Sequence, residues 1–133
     1  MKLIIAGSRH FTNLSNEYIG KLIKSFDLIP SSVVCGCARG VDMAGEYWAG
    51  LNEIPIVHFH PEWDRYGSKA GPIRNRKMAA FADALLLIWD GESSGSRNMK
   101  QEMLLLGKSV YEVVLNDDHS IVVKKVYGKG DMI

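Results

Sequence analysis

The chain has 133 residues, about the length of one domain on a scale of roughly 150 residues each. Its 47% apolar and 23% charged content is an ordinary globular mixture, sufficient to bury a core. With 16 basic and 15 acidic side chains the net charge is +1, which excludes a strong sequence-blind pull on nucleic acid or an acidic membrane surface.

The start, Met1 to Ala6, is apolar for too few residues to act as a signal peptide, and Arg9 soon follows. Leu3-Ile4-Ile5-Ala6 reads as a buried strand ending in Gly7-Ser8. Leu14 to Phe26 carries Leu14, Tyr18, Ile19, Leu22, Ile23 and Phe26 at helical spacing, closed off by Pro30. Val33-Val34-Cys35 is a second strand, broken by Gly36 and Gly40, after which Asp42 can cap a helix reaching Leu51. Cys35 and Cys37 stand too close to bridge each other well and lack evident zinc partners. A reduced, cytoplasmic chain is expected.

Pro55 to Phe59 predicts a third strand, followed by a polar loop from His60 to Ala70 and a helix from about Pro72 to Phe81. Ala84 to Trp89 is the longest apolar run, and so the expected centre of the sheet. It falls far short of the roughly 20 residues a membrane-spanning helix needs. Gly91 to Ser96 reads as a Gly/Ser loop opening a helix from Asn98 to Leu106, stopped by Gly107. Ser109 to Leu115 is a fifth strand, and Ile121 to Val126 folds back as an antiparallel edge strand. Residues 1–127 are expected to form one domain and 128–133 a flexible tail.

Strand and helix alternate about five times, which predicts an α/β, Rossmann-like, doubly wound parallel sheet. Ligands of such sheets bind at the carboxyl ends of the strands, near the topological switch point. After the first strand come Gly7, Ser8 and Arg9, a small residue and two donors suited to phosphate. After the second come Gly36, Arg39 and Gly40, leading to a helix N-terminus whose amides favour an anion. Either loop alone could equally be a tight turn with exposed arginines. In Trp63 to Met78, the cations Arg74, Arg76 and Lys77 stand near an expected helix start, where they oppose the macrodipole unless an anion is bound. Gly91, Ser93, Gly95 and Ser96 can cradle a second phosphate or a ribose. Dinucleotide, P-loop and Ser-hydrolase fingerprints are absent from the sequence.

Smaller signals have two readings each. Asp42 and Glu46, at i and i+4, could serve ribose hydroxyls or act as a general base, and Asp42 could instead only cap its helix. Trp63 and Tyr66 could stack on a base or be buried against the fold. His58, His60, Glu62 and Asp64 lack a second cluster at ligand spacing, so no metal and no cofactor is expected.

The runs Gly7-Ser8-Arg9-x-Phe11, Gly36-x-Ala38-Arg39-Gly40-x-Asp42, Trp63-Asp64-x-Tyr66-Gly67, Ala70-Gly71-Pro72-Ile73-Arg74-Asn75 and Asp90-Gly91-x-Ser93-x-Gly95-Ser96 come in this order. Together, from about residue 3 to residue 115, they resemble the YspA-type branch of the SLOG superfamily. That superfamily includes the LOG phosphoribohydrolases and the DNA-binding DprA proteins. The resemblance implies a Rossmann-like domain binding a nucleotide or nucleotide-derived small molecule. Glu46 gains from it, because a D-x-x-x-E-x-W run recurs in the family. Near-neutral charge disfavours the DprA mode of nucleic-acid binding.

LOG enzymes pair an arginine with a glutamate. Matched on Met78, Ala82 and Asp83, the arginine falls on Arg74, Gly95-Ser96 match the family's G-T, and the glutamate position falls on Met99. A thioether cannot accept a proton or stabilise a cationic sugar. No LOG-type hydrolysis of 5′-monophosphates is therefore expected at an enzymatic rate of about 1 s⁻¹ or more. A carboxylate such as Glu92, Glu46 or Asp42 could still serve another ligand. The two functional expectations are an N-glycosidic hydrolase and a non-catalytic sensor or sequestering module. LOG relatives dimerise through helices beside the site. Met99, Met103, Leu104, Leu105 and Leu106 exceed one amphipathic face, which points to a homodimer or to deep burial in the monomer.

Overall fold

The computed structural model describes residues 1–128. Six strands form one sheet: β1 (Lys2–Gly7), β2 (Ser32–Cys35), β3 (Ile56–His58), β4 (Ala84–Trp89), β5 (Ser109–Leu115) and β6 (Ile121–Tyr127). Their spatial order is β3-β2-β1-β4-β5-β6, parallel throughout except for the antiparallel β5–β6 pair. The expected Rossmann-like α/β sheet with an antiparallel C-terminal edge strand is the fold observed. The chain reverses direction across the sheet between β1 and β4, the switch point at which such sheets bind ligands.

Alternation along the inner strands divides the core. Leu3 and Ile5 of β1, with Leu86 and Ile88 of β4, face α1 (Asn16–Ser25) and α2 (Val41–Leu51). Ile4 and Ala6, with Leu85, Leu87 and Trp89, face α4 (Ala70–Phe81) and α5 (Ser94–Leu105). All six residues of β4 are buried, as its unbroken apolar run requires when helices cover both faces. On α1 the buried stripe is Ile19, Leu22 and Ile23, and Ser15 caps the helix by accepting from the Tyr18 amide at 3.1 Å.

Four local expectations are corrected. The segment read as a polar loop holds the short helix α3 (Trp63–Tyr66) and a 3₁₀ turn (Gly67–Lys69) that runs directly into α4. Arg74, Arg76 and Lys77 therefore sit beyond the first turn of α4, and the macrodipole argument does not apply to them. Helix α5 starts at Ser94, not Asn98, because the Ser93 hydroxyl accepts from the Ser96 amide and caps it. Asp42 is not the cap of α2. Gly40 holds that position, and the Asp42 carboxylate turns back to accept from the Ala38 amide at 3.3 Å.

Two glycines let backbones meet beneath the site. A Cβ on Gly7 would lie 1.7 Å from the Ile88 carbonyl oxygen, so only glycine fits where β1 ends against β4. Gly40, at φ 72°, brings the β2–α2 loop against the Ser8 and Arg9 carbonyls. Of the expected flexible tail, Gly128 follows β6 and residues 129–133 lie outside the described residues. No helix among the described residues is long and apolar enough to cross a membrane.

Candidate functional site

A cleft of about 710 Å³ opens at the carboxyl ends of β1 and β4. Gly7, Ser8 and Arg9 line it from β1, and Asp42 from the start of α2. Trp63, Gly71, Arg74 and Asn75 line it from the α3–α4 side, and Ser93, Gly95 and Ser96 from the start of α5. Eleven expected site residues thus share one cleft.

The others stand behind or outside it. The Gly36 carbonyl accepts a hydrogen bond from the Arg74 guanidinium, so the second-strand loop backs the cleft wall. Gly40 packs under Ser8 and Arg9, and Arg39 is exposed away from the lining. Gly91 shapes the turn before α5, its carbonyl accepting from Arg97 at 3.0 Å. Tyr66 lies below the Arg65 guanidinium, 5.0 Å from its ring centroid. Glu46 Oε1 is 2.7 Å from His58 Nε2, and the Cys35 thiol donates to Oε2 at 3.5 Å. The His58 contact holds Glu46 below the usual carboxylate range. That engagement points Glu46 away from the cleft. Among the described residues no cluster of His, Cys, Asp or Glu has the arrangement of a metal site.

Asp42 and Arg74 make the polar centre. Asp42 is 5% exposed, and burial pushes its carboxyl up to about 6 despite the Ala38 and Gly7 amides and the Arg74 charge nearby. Arg74 Nε donates to Asn75 Oδ1 at 2.9 Å. The Asn75 amide in turn donates to Asn98 Oδ1 at 2.9 Å and to the Gly95 carbonyl at 3.3 Å. Buried Asn75 thereby fixes the arginine of α4 against the first turn of α5.

Asp90 shapes the loop that leads into that first turn. One Asp90 oxygen accepts from the Glu92 and Ser93 amides, both at 2.9 Å. Burial raises Asp90, but those amides outweigh it and hold the carboxyl below its usual range. Helix geometry leaves the Ser94 and Gly95 amides without a partner inside α5, and both residues line the cleft. Half-exposed Trp63 overhangs the opposite rim beside Gly71.

Sequence reasoning missed His10, Ser68, Ser94 and Asn98, which also line the cleft. His10 carried a signal, being the next residue after Ser8-Arg9 in the same loop. Asn98 carried none, because its role depends on α5 starting earlier than its glycines suggest.

No protein-family model matches the chain. The Gene 61 protein of Mycobacterium phage D29 is 39% identical to it over 77 residues. That stretch covers 53% of this chain and 61% of the phage protein, so the chain spans less than two thirds of the curated relative it matches.

Proposed function

We propose that the cleft binds a nucleotide or nucleotide-derived small molecule, with its phosphate on the amides at the start of α5. The single observation that carries this reading is the meeting, at the switch point, of an anion-ready helix turn with the Asp42–Arg74 pair. The resemblance to the YspA-type SLOG branch supports the same ligand class. Asp42 suits a ribose hydroxyl or a general base, since a carboxyl near 6 exchanges protons close to neutral pH. Cleavage of the ligand's N-glycosidic bond is the reaction this equipment fits. A sensor without catalysis is the second reading. Met99 favours it, for this thioether lines the cleft where LOG enzymes carry a glutamate. The two free cysteines suit a reducing cytoplasm.

A thermal-shift panel of nucleotides, cyclic nucleotides and ADP-ribose derivatives identifies the ligand, because a tight binder raises apparent stability by mass action. Arg74→Ala is expected to weaken the best binder by roughly 1.5–3 kcal/mol, the scale of a lost charged hydrogen bond. Calorimetry giving an unchanged affinity, with the fold intact, would remove Arg74 from the site.

A homodimer belongs to the same proposal. Met99, Met103 and Leu104 are buried in the monomer, but Leu105 and Leu106 are 71% and 52% exposed at the end of α5. Light scattering at micromolar concentration is expected to give twice the monomer mass. A monomer mass there, unchanged in a Leu105→Ser/Leu106→Ser variant, refutes the dimer.

A further inference from the structure

The charges that line the cleft do not balance. Its side chains bring two guanidinium groups, Arg9 and Arg74, against one carboxylate, Asp42. The lining imidazole, His10, already has Asp90 and Asp117 at 3.8 and 3.7 Å. Asp42 offsets at most one arginine, and burial pushes its carboxyl up to about 6. Arg74 is tied down, its guanidinium donating to Asn75 Oδ1 and to the Gly36 carbonyl. Arg9 is exposed, and among the described residues its guanidinium has no hydrogen bond or ion pair. Its charge still reaches the centre of the site. Burial holds the Arg74 guanidinium below its usual range, Asp42 opposes that, and Arg9 adds to it.

The sheet sets the spacing between Arg9 and the proposed phosphate position. β1 and β4 are neighbours, in register from Leu3 opposite Ala84 to Gly7 opposite Ile88. Neighbouring strands lie about 4.8 Å apart. Beyond the strands the two loops are clasped together. The Ser8 amide donates to the Ile88 carbonyl at 3.2 Å, and the Asp90 amide donates to Ser8 Oγ at 3.0 Å. Arg9 follows Ser8, and Asp90 holds the loop into α5 through the Glu92 and Ser93 amides. A phosphate on the Ser94 and Gly95 amides therefore has a neighbouring position at the end of β1, with an unpaired cation beside it. Two phosphoryl groups that share one oxygen span from one strand end to the next. A guanidinium presents several donors in a fixed plane, which suits a phosphoryl group better than a point charge does.

We propose that the ligand of this cleft is a nucleoside diphosphate, with one phosphoryl group on the amides at the start of α5 and the other on Arg9. The assignment rests on the nucleotide reading above, which fixes neither the number of phosphoryl groups nor a role for Arg9. It concerns recognition alone: no bond is made or broken. A monophosphate fills the first position and leaves Arg9 without a countercharge. The second phosphoryl group supplies that charge, so Arg9 is the residue that separates diphosphates from monophosphates.

Calorimetry in metal-free buffer tests this, with the mono- and diphosphates of adenosine, guanosine, cytidine and uridine, and with inorganic pyrophosphate. For at least one nucleoside the wild type is expected to bind the diphosphate roughly 10-fold or more tightly than the monophosphate, the scale of a charged hydrogen bond. Arg9→Gln should bring that ratio to near one, and Arg9→Lys should keep part of it. Both variants should melt as the wild type does, because Arg9 has no partner to lose. Pyrophosphate should bind more weakly than the best diphosphate, since it lacks the nucleoside. Monophosphates that bind as tightly as diphosphates would overturn the second position and leave the nucleotide reading standing. A preference that survives in Arg9→Gln would overturn the role of Arg9. Pyrophosphate binding as tightly as the best nucleotide would count against the nucleoside, and binding of none of these probes would overturn both readings.

Discussion

Replacing Glu112 by alanine is expected to destabilise the protein by about 3–5 kcal/mol, the range for removing one partner of a buried ion pair. Glu112 is 4% exposed in β5, beneath α5. Its Oε2 accepts from Trp89 Nε1 at 2.9 Å and from Lys100 Nζ at 3.1 Å, and its Oε1 accepts from Tyr127 Oη at 3.2 Å. One carboxylate thereby ties together β4, α5, β5 and β6. Burial alone would lower the Lys100 pKa, but its hydrogen bonds to Tyr127 and Glu112 outweigh that and hold it above its usual range. Without Glu112 the ammonium keeps a neutral phenol as partner, and the indole N–H loses its acceptor. Urea unfolding checks the magnitude, and a loss below about 1 kcal/mol would show that water reaches the network. Adding Lys100→Met should recover part of the loss, because it removes the unpaired charge while the Trp89 indole N–H stays without its acceptor.

That network was invisible in the sequence, though the strands that build it were not. Ala84 to Trp89 was readable to the residue, because continuous burial on both faces leaves an unbroken apolar run, and Ser109 to Leu115 was readable from its β-branched residues after the Gly107 stop. Pairing of Glu112 with Lys100 depends on how β5 lies under α5, which no local pattern encodes. The start of α5 was misplaced because Ser93-Ser94-Gly95-Ser96 has loop composition, and only the cap from Ser93 to Ser96 turns it into a helix end. In the site, the loops after β1 and β4 were legible from the rule that ligands bind at strand ends. The approach of Asp42 and Arg74 was not, since it needs the space over Gly36, where a Cβ would lie 2.9 Å from Asp42 Oδ2 and 3.1 Å from an Arg74 nitrogen. Glu46 looked equivalent to Asp42 on helical spacing, and His58 from the neighbouring strand separates their roles.

Asp42→Asn is expected to stabilise the protein at pH 8 while weakening its ligand chemistry. The Asp42 carboxyl titrates at 3.8 in an open chain and at about 6 when folded, so the folded state binds the proton more tightly. A pKa raised on folding adds stability in full below pH 3.8 and loses it as pH rises through about 6. At pH 8 the buried charge therefore costs on the order of 3 kcal/mol relative to pH below 3.8, taking 1.36 kcal/mol per pH unit. Asparagine cannot ionise, and its carbonyl oxygen can still accept from the Ala38 amide. The difference in unfolding free energy between Asp42→Asn and wild type should thus be near zero at pH 4 and favour the variant by about 1–3 kcal/mol at pH 8. Other carboxylates titrate alike in both proteins and cancel from that difference. Urea melts at the two pH values measure it, and a difference that stays flat with pH would mean the Asp42 carboxyl titrates in its ordinary range. A side chain kept at a cost to stability, at the end of a sheet where ligands bind, has a reason outside the fold. If Asp42→Asn is more stable at pH 8 and still binds nucleotide as the wild type does, then the reason is not recognition, and only the role of general base is left for this carboxylate.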